Sequence, residues 1–276
     1  MRAKMPGANV SPYYQELGVD PAAPIPNSNR SPFDDAFCRV VEELQPEVVS
    51  FHFGLPEASL FHRVQRAGCR VVCSATTVKE AVWLEEKGVD AVVAQGFEAG
   101  GHRGHFLSDD LFTQAGTFAL VPQICDAVKV PVIAAGAVSD ARGIAAAFML
   151  GASGVQIGTT YLHCPESKIS TLHRAAIAAA GDDATTCTNL MTGRPARGVI
   201  NRVMRELGPI NPIAPDFPLA AGALAPLRTK AEACGSSEFS PMWSGQAAAL
   251  GRPVPARELT QALALEASRR LRGSSV

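Results

Sequence analysis

The sequence reads as an α/β protein of the TIM-barrel type, and three observations lead there. Five short apolar runs, rich in β-branched residues, alternate with segments of helical period. The runs are apolar on both faces, as in a parallel sheet covered by helices. Each ends, at its C-terminal edge, in polar or glycine-rich residues, where such barrels carry their chemistry. A repeated β–α unit also suits a doubly wound sheet. The small loops after the last two runs, Gly136-Ala137-Val138-Ser139 and Gly158-Thr159-Thr160, favour the barrel. Phosphate sites after the final strands are a habit of that fold.

The elements follow in order. Residues 1–33 are rich in Pro, Ala and Asn without sustained period, which predicts an arm with one helical turn over 13–17. A helix is predicted over 34–44, capped by Asp34 or Asp35, with Phe37, Val40, Val41 and Leu44 as its apolar stripe. The strand runs are 47–53, 70–74, 90–95, 131–135 and 154–158. Between them, one helix opens at Pro56 and stops at Gly68. The next opens with the capping box Thr77-Val-Lys-Glu80 and closes at Gly88. Another starts after Ser139 and stops at Gly151, with Phe148, Met149 and Leu150 expected in the core. From 164 onward the pattern changes to helices over 169–180, 199–207, 222–234 and 257–271, with a Pro-rich stretch over 208–222.

Composition narrows the function classes. Hydrophobic residues make up 47% and charged residues 18%, which argues for a packed domain rather than a disordered chain. A formal net charge of -1 gives no electrostatic footprint for nucleic acid or an anionic membrane. No apolar run reaches the ~18 residues of a spanning helix. The opening residues lack the apolar stretch of a signal peptide. The 7 cysteines show no metal-ligand or CxxC spacing, so reduced thiols and a cytoplasmic location are expected.

The sharpest local feature is Gln95-Gly-Phe-Glu-Ala-Gly-Gly-His-Arg-Gly104, directly after the third strand run. Its glycines let the backbone approach a ligand closely. His102 among them can take a proton or stabilise an anion near neutral pH. A turn cluster around a structural histidine is the competing reading. His52 suits a hydrogen-bonded core or a site equally, His62 and His173 fall on helices, and His105 can flank the site. No histidine cluster supports a metal, and neither Ser139 nor Ser153 stands in a nucleophile elbow. Arg194 and Arg197 suit an anion clamp or a solvated basic loop; Trp243 suits packing, and Gln246 a cofactor contact.

The runs AQGFEAGGHRG (94–104), PVIAAGAVSDARGIAAAFMLGASGVQIGT (131–159) and TGRPARG (192–198) resemble the nitronate monooxygenases, formerly called 2-nitropropane dioxygenases. PEVVSFHFGLP (46–56), ATTVKEA and FSPMWSGQ (239–246) extend the likeness from about residue 30 to the end. The resemblance implies an FMN-dependent (β/α)8 enzyme that oxidises alkyl nitronates with O2 to a carbonyl compound and nitrite. By the same resemblance, His102 is the active-site histidine, acting as base on nitroalkanes or holding the nitronate. Gln95, Gly100 and Gly101 fall at flavin-contacting positions. Gly136, Ala137, Gln156, Ile157, Gly158 and Thr159 fall on the phosphate and ribityl cradle, together with the helix start after Ser139. A flavin enoyl-thioester reductase shares the barrel and phosphate strand, and a non-catalytic phosphate-binding remnant is a third reading.

Two departures from the family pattern stand out. The family's Gly-Gly pair is Gly136-Ala137 here, and a left-handed backbone would cost Ala137 on the order of 1 kcal/mol. The five strand runs match the fourth through eighth of the barrel, with no match for the opening strands in residues 1–46. A relative truncated by deletion or by a misplaced start at Met1 is the expectation, with weakened FMN binding or repair through a homodimer. The expected domains are a partial barrel with its arm over 1–163, a helical insertion over the active-site face at 164–250, and a C-terminal barrel helix at 251–276.

Overall fold

The structure is a computed structural model that describes residues 10–22 and 31–273. Parts of the expected arm, residues 1–9 and 23–30, lie outside the described residues. In chain order the first elements are α1 (Ser11–Glu16), α2 (Asp35–Leu44), β1 (Val48–Phe51), α3 (Ala58–Arg66), β2 (Arg70–Ala75) and α4 (Val78–Lys87). Next come β3 (Ala91–Gln95), β4 (Gly101–His102), α5 (Thr117–Ala127), β5 (Val132–Ala135), α6 (Ala141–Met149), β6 (Gly154–Gln156) and α7 (Thr159–Leu162). The chain ends with α8 (Thr171–Ala178), β7 (Thr185–Thr188), β8 (Ala196–Val199), α9 (Arg202–Leu207), α10 (Ala220–Ala233) and α11 (Ala256–Leu271). The described residues fall into two units: residues 31–99, 103–165 and 250–273, and residues 10–22, 100–102 and 166–249.

In the larger unit, β1, β2, β3, β5 and β6 form one parallel sheet in that order, so all five predicted strands are present. Val71, Cys73 and Ala75 on β2 and Val92 and Ala94 on β3 have no exposed surface. They pack on Val64 of α3 and Ala81 and Leu84 of α4. Burying each large aliphatic side chain contributes about 1.5–3 kcal/mol before chain entropy is subtracted. The outer strands are wetter: Val48 on β1 is 54% exposed and Gln156 on β6 is exposed. Among the described residues the sheet is open at these two strands, and the segment before Val48 holds helices only.

The helix signals translate into observed caps. Asp34 accepts the Phe37 N–H at 3.0 Å, and Gly88 ends α4 with φ 87°. Thr77 accepts the Glu80 N–H at 3.2 Å, yet the Glu80 carboxylate turns elsewhere. Its Oε2 accepts from Thr76 N (2.7 Å) and Thr76 Oγ1 (2.8 Å), and its Oε1 from Phe106 N (2.6 Å) and Leu107 N (3.2 Å). The helix α5 has no counterpart among the expected elements, because Pro122 in its interior reads as a breaker. Two apolar expectations are corrected. Phe148 and Met149 are not core, at 38% and 80% exposed, because α6 faces the fold through Ala141, Ile144 and Ala147. On α2 it is Cys38 and Val41 that meet the core, and Leu44 is 72% exposed. The terminal helix α11 packs Leu259, Leu263 and Ala267 with Ala141 and Ile144 of α6.

In the smaller unit, Tyr13 and Tyr14 of α1 join Leu190, Met191, Val203, Met204, Leu227 and Phe239 in one apolar cluster. The Tyr14 hydroxyl donates to Ala223 O at 2.6 Å, and the Tyr13 hydroxyl to Glu206 at 2.7 Å. This unit also carries an antiparallel sheet in the order β4-β8-β7, where the sequence pattern predicts helices alone. Its strands are 2 or 4 residues long, too short to show an alternating pattern. Among the described residues no helix is long and apolar enough to cross a membrane.

Candidate functional site

In the larger unit, the C-terminal ends of β3, β5 and β6 bring Gln95, Gly136, Ala137 and residues 156–159 to one edge of the sheet, while Gly100 and Gly101 of the same prediction lie in the smaller unit. Gln95 is in register with Ala135, and Ala135 with Gln156, so the residues that follow leave the sheet side by side. Gln95 is buried, and its Oε1 accepts the Gly104 N–H at 2.8 Å. Arg103 has no exposed surface and binds the outgoing turn. Its guanidinium donates to Gln95 O (2.8 Å), Gly96 O (2.6 Å) and Gln114 Oε1 (2.7 Å). Gly96 is required sterically, since a Cβ there would stand 1.9 Å from Thr117 Oγ1.

The Glu98 carboxylate accepts the Thr117 N–H at 2.8 Å and so caps α5. The Thr117 hydroxyl lies 3.0 Å from both Glu98 Oε2 and Gly136 O and donates to one of them at a time. Gly136 and Ala137 are successive left-handed residues, φ 109° and 55°. The expected strain at Ala137 is therefore present, of order 1 kcal/mol. Ala137, Gln156 and Gly158 are exposed, and a Cβ on Gly158 would meet nothing within 4 Å. The helix start after Ser139 is corrected as a phosphate site. Asp140 caps α6 there and accepts from Arg142 N (2.8 Å) and Gly143 N (3.3 Å), so its carboxylate already takes the amides an anion would use. His52 follows β1, is exposed, and would lie 2.7 Å from a Cβ on Gly104, so it is not a core histidine.

In the smaller unit, β4 carries His102. Gly101 and His102 pair with Arg197 and Ala196 of β8. Gly100 admits the segment that follows α10: a Cβ would stand 2.5 Å from Gly245 N. Gly101 has φ 75°, a conformation that suits glycine. His102 Nε2 lies 2.9 Å from Thr192 Oγ1. The ring meets Phe217 edge-on at 5.6 Å and Trp243 at 5.5 Å, between centroids. His173 on α8 supports Trp243 by donating from Nε2 to its carbonyl at 2.9 Å, and burial lowers the His173 pKa. Arg197 is buried and donates to Thr185 O at 3.2 Å, which makes it a brace within the sheet rather than an anion clamp.

The structure thus gathers Gln95, Gly136, Ala137 and 156–159 at one strand edge, and surrounds His102 with Thr192, Phe217 and Trp243. Thr192 and Phe217 were not singled out by the sequence. The Thr-Gly pair at the head of TGRPARG is the one signal that marks Thr192 as a turn residue.

A family model described as nitronate monooxygenase matches residues 5–266. A nitronate monooxygenase of Pseudomonas aeruginosa is 41% identical over 259 residues, covering 93% of this chain and 74% of that protein. Among solved structures, a nitroalkane oxidase from Streptomyces ansochromogenes superposes with a TM-score of 0.85 at 34% identity, over 96% of this chain and 76% of that one. FabK from Thermotoga maritima matches with a TM-score of 0.70 at 29% identity, over 90% of this chain and 77% of that one. The match to the family model over nearly the whole chain means that the chain belongs to the nitronate monooxygenase family.

Proposed function

We propose that this protein is a flavin-dependent oxidoreductase that oxidises alkyl nitronates with O2 to a carbonyl compound and nitrite, with FMN as its flavin. The observation that carries this reading is the setting of His102: a half-buried imidazole with one nitrogen on a buried hydroxyl and two aromatic rings beside it, one edge-on and one tilted. Such a ring can take the Cα proton of a nitroalkane, or hold the negative nitro group of a nitronate once protonated. The aromatic neighbours Phe217 and Trp243 suit a small alkyl substituent and limit water around it.

The strand-end surface of the larger unit fits a phosphate-bearing cofactor. Gly136, Ala137 and Gly158 offer backbone without bulky side chains, and the space beside Gly158 is open. Gln156, Ile157 and Thr159 would complete the hold on the phosphate and ribityl chain, with Gln95 on the ring side. FMN, when bound, supplies the electron acceptance that nitronate oxidation by O2 requires. Gly100 and Gly101 have reasons of their own in the smaller unit, the approach of Gly245 and a left-handed turn, and their part is to place His102. The likeness to the nitroalkane oxidase supports reading the five parallel strands as the fourth to eighth of a (β/α)8 barrel.

The test is O2 uptake and nitrite release from a propyl nitronate and from nitropropane by the FMN-loaded protein and its His102→Ala variant. The variant is expected to lose roughly 100-fold or more with nitropropane. Nitrite release unchanged by the substitution would remove His102 from the reaction. Bound flavin that NAD(P)H reduces, with no nitronate turnover, would favour the enoyl-thioester reductase reading instead.

A further inference from the structure

We infer that Gly198 and His173 are positioning residues for Trp243. Gly198 seats the indole across β8, His173 holds the carbonyl of the same residue, and the ring so fixed beside His102 is the wall that limits substrate size. The effect on substrates rests on the proposed nitronate reaction; the fixing of the ring rests on geometry.

The segment 242–244 lies along β8. Met242 O accepts the Val199 N–H at 2.8 Å, and the Ser244 N–H donates to Arg197 O at 3.3 Å. These two bonds flank the antiparallel pair of Gly198 and Trp243, which is therefore of the non-hydrogen-bonded kind. Such partners approach to about 4.5 Å between Cα atoms, and their side chains crowd. Gly198 has no side chain, and the indole takes the space: a Cβ there would stand 2.8 Å from Met242 O and 3.2 Å from Trp243 Cε3. Glycine weakens a strand interior, and a close approach of this kind is what it allows in return.

The same pairing turns the Trp243 carbonyl away from β8, where it needs another donor. His173 supplies it, with Nε2 at 2.9 Å from Trp243 O. A carbonyl only accepts, so Nε2 carries the hydrogen, in the neutral and in the protonated ring alike. His173 is itself placed by the first turn of α8, where Ser170 Oγ accepts its N–H at 3.1 Å. Backbone and ring of Trp243 are thus fixed by different residues.

The strand sets what the indole faces. His102 pairs with Ala196, two residues from Gly198 along β8, while β7 occupies the other edge of that strand. Positions two apart share a face of the sheet, which places the His102 ring and the indole together, 5.5 Å between centroids. A fixed aromatic ring at that distance bounds the room for an alkyl chain on a nitro compound held at His102. Against an apolar wall, one methylene more or less is worth roughly 10- to 200-fold in kcat/KM.

The ring is tested by fluorescence of the full chain carrying Trp83→Phe, which leaves Trp243 as its one tryptophan. The Trp243 emission is expected to shift to the red and to become more open to acrylamide in His173→Leu and in Gly198→Ala. In His173→Gln, whose amide keeps a donor, it is expected to return toward the parent value. Unchanged emission in folded His173→Leu and folded Gly198→Ala overturns the positioning. The wall is tested on the FMN-loaded protein with ethyl and hexyl nitronate. Trp243→Ala is expected to raise the hexyl-to-ethyl ratio of kcat/KM roughly 10-fold or more. His173→Leu is expected to move the ratio the same way, through KM more than kcat. An unchanged ratio in Trp243→Ala overturns the wall, and equal losses on both substrates in His173→Leu overturn the part of His173 in it. Emission is read without substrate, so the positioning and the nitronate reaction stand or fall separately.

Discussion

His102, Thr192 and Trp243 come from three separate stretches of chain, and the smallest supporting interactions decide how well they meet. His173 is one of these. Its Nε2 donates to the Trp243 carbonyl, and burial holds its pKa below the ordinary 6.5. In the unfolded chain the same ring charges near pH 6.5. The folded state therefore binds this proton less readily, and the stability that the neutral ring contributes is present above pH 6.5. It is lost as pH falls from 6.5 through the lower folded value. Thermal unfolding scanned from pH 7.5 to 5.5 is expected to show a fall in Tm that His173→Gln reduces; the same slope in the variant would assign the loss to other groups. At this scale the sequence displayed His102 and its glycines plainly, because they are contiguous. Thr192 stands 90 residues away, and its contact comes from a turn at Gly193 that no local pattern announces.

At the scale of elements, Glu80 shows how a legible helix start hides a second task. The Thr77-Val-Lys-Glu80 string marks the beginning of α4, and Thr77 does cap it. The Glu80 carboxylate, itself 1% exposed, accepts four hydrogen bonds that join Thr76, at the end of β2, to Phe106 and Leu107, just beyond the histidine loop. An amide in its place offers one oxygen and turns an NH2 group toward donors. Glu80→Gln is therefore expected to cost about 2–4 kcal/mol in urea unfolding, from buried amides left without an acceptor. A loss under 1 kcal/mol would mean that the loop finds other acceptors. Strand position was legible because β2 and β3 are apolar on both faces. The helix α5 and the strands β7 and β8 were not: Pro122 disguises the first, and the polar run Thr185–Thr188 the second.

For the whole molecule, the repeat of strand and helix gave the α/β class, and the register of β3, β5 and β6 explains why residues far apart in sequence share one edge. Residues 10–22 belong with the later helices rather than with the parallel sheet, a long-range association through Tyr13 and Tyr14 that composition could not reveal. Family motifs supplied the chemistry on which fold alone is silent, since barrels of this class host many reactions. The central claim of the proposed function is that nitronate itself reduces a flavin bound to this chain. It is tested by loading the full chain with FMN, removing O2, and mixing with a propyl nitronate while recording the visible spectrum. Bleaching of the flavin by nitronate without NAD(P)H, followed by nitrite release when O2 is admitted, is the predicted result. Flavin that binds and stays oxidised with nitronate, yet is reduced by NAD(P)H, would contradict it.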